Sequence, residues 1–141
     1  MILLDTNVVS ELRKVAAGRA HPALARWADA VEPQSLYLSV ITIQELETGV
    51  LLVERRDQTQ GTNLRRWFEE QVLATFNGRV LDIDAQVARR CAALHCPHPR
   101  PIRDSLIAAT ALVHGCPVAT RNVADFQVPG LVVVNPWDTP A

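Results

Sequence analysis

Short apolar runs alternate along the chain with longer segments whose apolar residues recur every three or four positions. Ile2–Leu4, Leu36–Leu38, Val80–Ile83, Pro117–Ala119 and Leu131–Val134 are too short for helices and read as strands. The segments between them have helical spacing. A short helix starts near Asn7, carries Val8, Val9 and Leu12, and breaks at Ala16-Ala17-Gly18. His21–Val31 is a second helix, with Pro22 in its first turn and Leu24, Trp27 and Val31 on one face. Thr42 to about Val53 is a third and Asn63–Phe76 a fourth, separated by a turn at Asp57–Thr62 that contains Gly61. Asp84 caps a helix running to about His95, and Asp104–His114 is the last, closed by Gly115. Gly78 caps the fourth helix, and Pro97, Pro99 and Pro101 form a stiff loop. Strands alternating with helices predict an α/β fold: one domain over residues 1–141, with a mostly parallel twisted sheet of four to five strands flanked by helices.

Composition narrows the function classes. Apolar residues make up 48% and charged ones 21%, an ordinary globular balance. No apolar run approaches a membrane span. The opening Met1-Ile2-Leu3-Leu4-Asp5 lacks the positive region of a signal peptide. Three cysteines, an odd number, fit a reducing cytoplasm better than a disulfide framework. A net charge of −1 argues against gripping nucleic acid by bulk electrostatics. The bases are thirteen arginines and one lysine; arginine suits bidentate phosphate contacts, although a GC-rich coding sequence explains the bias as well.

Three carboxylates fall where such a fold gathers its functional groups. Asp5 ends the first apolar run, Glu45 follows Leu36–Leu38 at the start of a helix, and Asp104 opens the apolar helix. In parallel α/β folds the carboxyl ends of the strands share one rim, and ligands bind there. Acids gathered on a rim repel each other unless a cation lies between them, and all-oxygen sites suit Mg²⁺ or Mn²⁺. This points to a metal-dependent hydrolase, with a phosphodiester as the natural substrate. Each acid also has a structural reading. Asp5 and Asp104 can cap helices, and Thr42-Ile43-Gln44-Glu45 is a formal capping box. After the fourth strand, Asn122 can cap a short turn with Asp125 as its capping-box acid, or either residue can be a fourth polar group of the site. Thr6, Asn7, Thr120 and Arg121, beside these groups, are candidates for substrate contact.

Jointly the motifs resemble PIN-domain nucleases, and more narrowly the VapC and FitB-like toxins of bacterial toxin–antitoxin pairs. The matching pieces are Leu3-Leu4-Asp5-Thr6-Asn7-Val8-Val9-Ser10-Glu11, Leu38-Ser39-Val40-Ile41-Thr42-Ile43-Gln44-Glu45-Leu46 with Gly49, and Pro101-Ile102-Arg103-Asp104-Ser105-Leu106-Ile107-Ala108-Ala109-Thr110-Ala111. Val118-Ala119-Thr120-Arg121-Asn122 and the closing Val134-Asn135-Pro136-Trp137 complete the set. The resemblance implies that Asp5, Glu45 and Asp104 take the positions of the family's metal-site acids. It implies an endoribonuclease that uses Mg²⁺ or Mn²⁺ to activate water and leaves 5′-phosphate and 3′-hydroxyl ends. It further implies a small antitoxin partner, contact with DNA only through that antitoxin, and a homodimer. We expect the dimer contact around Val8, Leu12 and Trp27. One departure stands out: many PIN domains carry Asp where this chain has Asn122. That substitution keeps open an inert PIN-like module acting in an antitoxin–DNA repressor complex. A metal-dependent phosphatase or DNA nuclease is a third reading.

Two further clusters weigh less. Cys91, His95, Cys96 and His98 lack the spacing of paired zinc ligands. Arg55-Arg56 and Arg65-Arg66 flank one turn and read as solvated helix ends or as RNA phosphate contacts.

Overall fold

Alternation within the strands builds the core from both sides of one sheet. A computed structural model of the chain describes residues Met1–Pro140. The strands are β1 (Ile2–Leu4), β2 (Leu36–Ser39), β3 (Val80–Leu81), β4 (Val118–Ala119) and β5 (Val133–Val134). All pairings are parallel, in the order β3-β2-β1-β4-β5, so the first strand of the chain is central. Successive side chains point to opposite faces. Leu4, Leu36, Leu38 and Ala119 pack against one cluster; Leu3, Tyr37 and Val118 pack against the other. Both faces are covered, as parallel sheets require.

The helices are α1 (Thr6–Leu12), α2 (Pro22–Ala30), α3 (Val40–Arg56), α4 (Gln58–Trp67), α5 (Ala85–Leu94) and α6 (Ile102–His114). Wide π-helical turns at Phe68–Leu73 continue α4 and bury Phe68 and Val72. Helix α6 is apolar nearly all round because Ile107, Ala108 and Ala111 face the sheet cluster while Ala109 packs with Val87 and Cys91 of α5. Gly115 ends it in the left-handed conformation, φ 65°, as expected from the sequence.

Several expectations are corrected. Asp57–Thr62 is not a turn: Asp57 caps α4, accepting from the Gln60 amide at 3.1 Å, and Gly61 lies inside the helix. Helix α3 begins at Val40, with the Ser39 hydroxyl accepting from the Ile41 amide, so Thr42 and Glu45 form no capping box. Helix α6 begins at Ile102, which puts Asp104 in its first turn rather than at the cap. The strands β3 and β5 are shorter than the apolar runs that announce them. Val8 and Trp27 are buried and half-buried Leu12 packs against the same cluster, so Val8 and Trp27 belong to the core and do not offer the contact surface expected from the sequence. Arg65 is half-buried and engaged by acids rather than free for phosphate: it clamps Glu54 of α3 through two hydrogen bonds, at 2.9 and 3.2 Å, and pairs with Glu47 and Glu69. No helix is long and apolar enough to cross a membrane.

Candidate active site

With β1 between β2 and β4, the strand order reverses at β1, and in parallel α/β sheets the carboxyl ends of the strands at such a switch point are where ligands bind. Asp5 sits at that point and is 5% exposed. Its Oδ1 accepts from the Thr6 amide at 2.8 Å, so it does cap α1. Its Oδ2 accepts from the Thr120 hydroxyl at 2.8 Å and from Asn7 Nδ2 at 3.2 Å. Capping and a role in the site are therefore compatible, one oxygen for each. Burial raises the Asp5 carboxyl above its ordinary range against the opposing pull of these donors, and Glu45 raises it further.

Thr120 and Asn7 tie the ends of β1 and β4 together. The Thr120 hydroxyl donates to Asp5 and accepts from the Asn122 amide at 3.0 Å. Asn7 Nδ2 also lies 3.4 Å from Thr120 Oγ1, and Asn7 Oδ1 accepts from the Arg121 amide at 3.3 Å. Asn7 and Thr120, proposed from sequence as substrate contacts, thus hold Asp5 in place.

Glu45 lies in the second turn of α3. Its Oε1 accepts from the Thr6 hydroxyl at 2.8 Å, and that hydroxyl is 3.1 Å from the hydroxyl of buried Thr42. Its Oε2 is 3.7 Å from Arg103 Nη1. Asp104 enters from the first turn of α6. Its carboxyl is pushed up to about 6, first by burial, then by the charges of Asp5, Asp125 and Glu45, with Arg103 opposing. These influences identify one electrostatic cluster of four acids.

The remaining sequence candidates divide. Asp125, in the short 3₁₀ turn Val123–Phe126, adds its charge to the cluster. Asn122 precedes that turn but makes no side-chain cap, contrary to the capping-box reading. The Arg121 guanidinium lies over Trp137, 5.4 Å from the ring centroid. The cation facing the acids is instead Arg103, which sequence reasoning passed over although it stands next to Asp104 in the first turn of the same helix. Cys91 is buried, Cys96 is exposed, and His95 Nδ1 accepts from the Arg100 amide at 3.4 Å.

The donor chemistry fits a hard divalent cation: carboxylate and hydroxyl oxygens, with an excess of negative charge that shows in the Asp104 carboxyl. Among the described residues no three His, Cys, Asp or Glu side chains close into a ready-made cage. Such a cage is not required for Mg²⁺, which commonly keeps several waters and takes only one or two carboxylates.

The fold and site define an α/β domain with a cluster of acids at its topological switch point. The chain belongs to the PIN-domain family, whose model matches residues 2–128. It is 38% identical to the VapC ribonuclease Y4jK of Sinorhizobium fredii, over 98% of this chain and 99% of that protein. It is 36% identical to the toxin FitB of Neisseria gonorrhoeae, over 97% and 99%. Among solved structures, FitAcB from Neisseria gonorrhoeae superposes with a TM-score of 0.85 at 35% identity, covering 98% of this chain and 99% of that one.

Proposed function

We propose that the protein is a metal-dependent endoribonuclease and the toxin of a toxin–antitoxin pair, acting in the cytoplasm. The observation that carries the reading is the cluster of Asp5, Glu45, Asp104 and Asp125 at the switch point, in a chain aligned end to end with a VapC ribonuclease and with FitB. Asp5, Glu45 and Asp104 would hold Mg²⁺ or Mn²⁺. When bound, such an ion supplies Lewis-acid activation of water and offsets charge on the phosphodiester. The chain's own residues then have distinct tasks. Thr120 and Asn7 fix the rotamer of Asp5, and Thr6 aims Glu45. Asp104 must be ionised to take up the cation, so its raised carboxyl sets metal binding in competition with protons. Asp125 supplies the fourth acid that Asn122 lacks, and this favours an active enzyme over an inert module.

FitAB appears in a solved structure bound to a DNA fragment, with a TM-score of 0.86 to this chain at 34% identity. By analogy, the partner of this chain is a small antitoxin, and DNA contact runs through that antitoxin. Residues 129–140 belong to the same domain in this reading, since β5 completes the sheet.

The test is cleavage of total bacterial RNA by antitoxin-free protein, with Mg²⁺ or Mn²⁺, with EDTA, and with Asp5→Asn. Metal-dependent fragments with 5′-phosphate ends, absent in the variant, are expected. Products ending in 2′,3′-cyclic phosphate would rule out hydrolysis by activated water.

A further inference from the structure

The acids at the switch point leave a neighbouring group of cations without a role. Ser10, Arg13, Lys14, Ala17 and Arg19 line a cavity of about 540 Å³ at the end of α1 and in the turns after it. The whole chain carries a net charge of −1, yet the charged residues lining this cavity are all basic. Arg13, Lys14 and Arg19 are exposed. Lys14 pairs with Glu11 at 3.1 Å, and the other oxygen of Glu11 accepts from the His21 amide at 2.9 Å. Among the described residues, Arg13 and Arg19 pair with no carboxylate.

This cavity adjoins a second groove that reaches one of the acids, Glu45. The groove, of about 360 Å³, shares Ser10, Arg13 and Lys14 with the cavity and extends to Thr6, Glu45 and Trp67. Thr6, Ser10 and Arg13 follow one another at intervals of four and three residues, so they form one stripe on α1 and the turn after it. At helical rise, the stripe carries the cations about 10 Å along the axis from Thr6. The Arg13 guanidinium lies 5.6 Å from the ring centroid of Trp67 and is held there by the aromatic face. The second groove joins Arg13 and Lys14 to a largely apolar wall that includes Leu46, Val50, Leu64 and Trp67; cations beside an aromatic surface are a combination that binds single-stranded nucleic acid without reading its sequence.

A polyanion led to a cluster of acids needs cations beside that cluster. Arg103 already faces Glu45; Arg13 and Arg121 both lie on a tryptophan face, and of those two Arg13 lines the groove that reaches Glu45. We propose that Arg13, Lys14 and Arg19 form a subsite for the backbone of single-stranded RNA, holding phosphates that flank the one cleaved at the acids. The inference rests on the ribonuclease reading, and it assigns recognition to a patch beside the acids rather than to the acids themselves.

The test measures binding of a fluorescent single-stranded oligoribonucleotide to the Asp5→Asn protein, with and without the pair Arg13→Gln and Arg19→Gln. The pair should weaken binding at least 10-fold. It should also make the salt dependence shallower, by roughly 0.7 in the logarithmic slope for each phosphate that is no longer neutralised. In the chain with Asp5 intact, the same pair should raise KM and leave kcat close to its starting value. Arg19→Gln alone, which leaves Arg13 on the face of Trp67, should show part of the effect with an unchanged thermal melt. Unchanged affinity and slope, while the parent chain still cleaves RNA, would overturn the subsite and leave the nuclease standing. Intact RNA binding with weakened antitoxin affinity would overturn it in favour of a protein contact. A parent chain that neither binds nor cleaves RNA would overturn both.

Discussion

At Asp104, burial and the neighbouring acids act in the same direction, and this has a measurable consequence. Its carboxyl titrates near 6 in the fold against an ordinary 3.8. Between these values the folded chain keeps a proton that the unfolded chain has released, so stability falls as pH rises through that window. Above it, the repulsion is fully present. Asp104→Asn is therefore expected to raise the melting temperature of chelator-treated protein at pH 7, with the gain shrinking as pH is lowered toward about 4. A lower Tm for the variant at pH 7 would contradict this account. Thr120 makes a different case. Thr120→Val removes the hydroxyl that joins Asp5 Oδ2 to the Asn122 amide. Loss of that buried link should cost about 1–3 kcal/mol in denaturant unfolding. RNA cleavage should fall roughly 10- to 100-fold, as for residues that orient metal ligands. Position along the chain was enough to pick out Asp5, Glu45 and Asp104. It did not reveal that Thr120 and Asn7 serve Asp5, because those hydrogen bonds span more than a hundred residues or depend on side-chain direction.

At the scale of elements, α3 and α4 are the pair whose contact the sequence misstated. Gly61 reads as a turn because glycine is a poor helix former. In the fold it is the point where α4 approaches α3: a Cβ there would lie 2.5 Å from the Glu54 Cα, a backbone atom that cannot move aside cheaply. Gly61→Ala should thus destabilise the protein by about 1–3 kcal/mol despite its better helix propensity. A stabilised variant in urea unfolding would show that the helices can separate at no cost. Arg65 reinforces the same crossing, held between Glu54 and Glu47, which push its guanidinium further toward the charged form. The capping box at Thr42 failed for a related reason. The capping rule is local, but β2 ends at Ser39, which takes the cap and sets α3 two residues earlier. Glu45 is thereby released from the backbone and turned toward Thr6.

For the whole molecule, strand order brings the distant acids together. Asp5 follows β1, Glu45 rises from the helix after β2, and Asp104 and Asp125 flank β4 on the far side. A cation binding only the folded chain stabilises it by mass action. Mn²⁺ at about 100 times its Kd should add about 2.7 kcal/mol at pH 7, read as a Tm shift in calorimetry. Asp104→Asn should abolish most of that shift; an equal shift in the variant would remove Asp104 from the proposed ligand set. The hydrophobic pattern by itself determined the α/β class, the five apolar strand runs and most helix positions, because periodicity is a local property of the chain. The acids and the motifs of the family were likewise legible without the fold. Only the tertiary structure decided which strands are neighbours, that Val8 and Trp27 are core, that Arg103 rather than Arg121 faces the acids, and that Gly61 belongs to a helix. Those outcomes depend on close packing and charge proximity between segments far apart in sequence, and no local pattern encodes them.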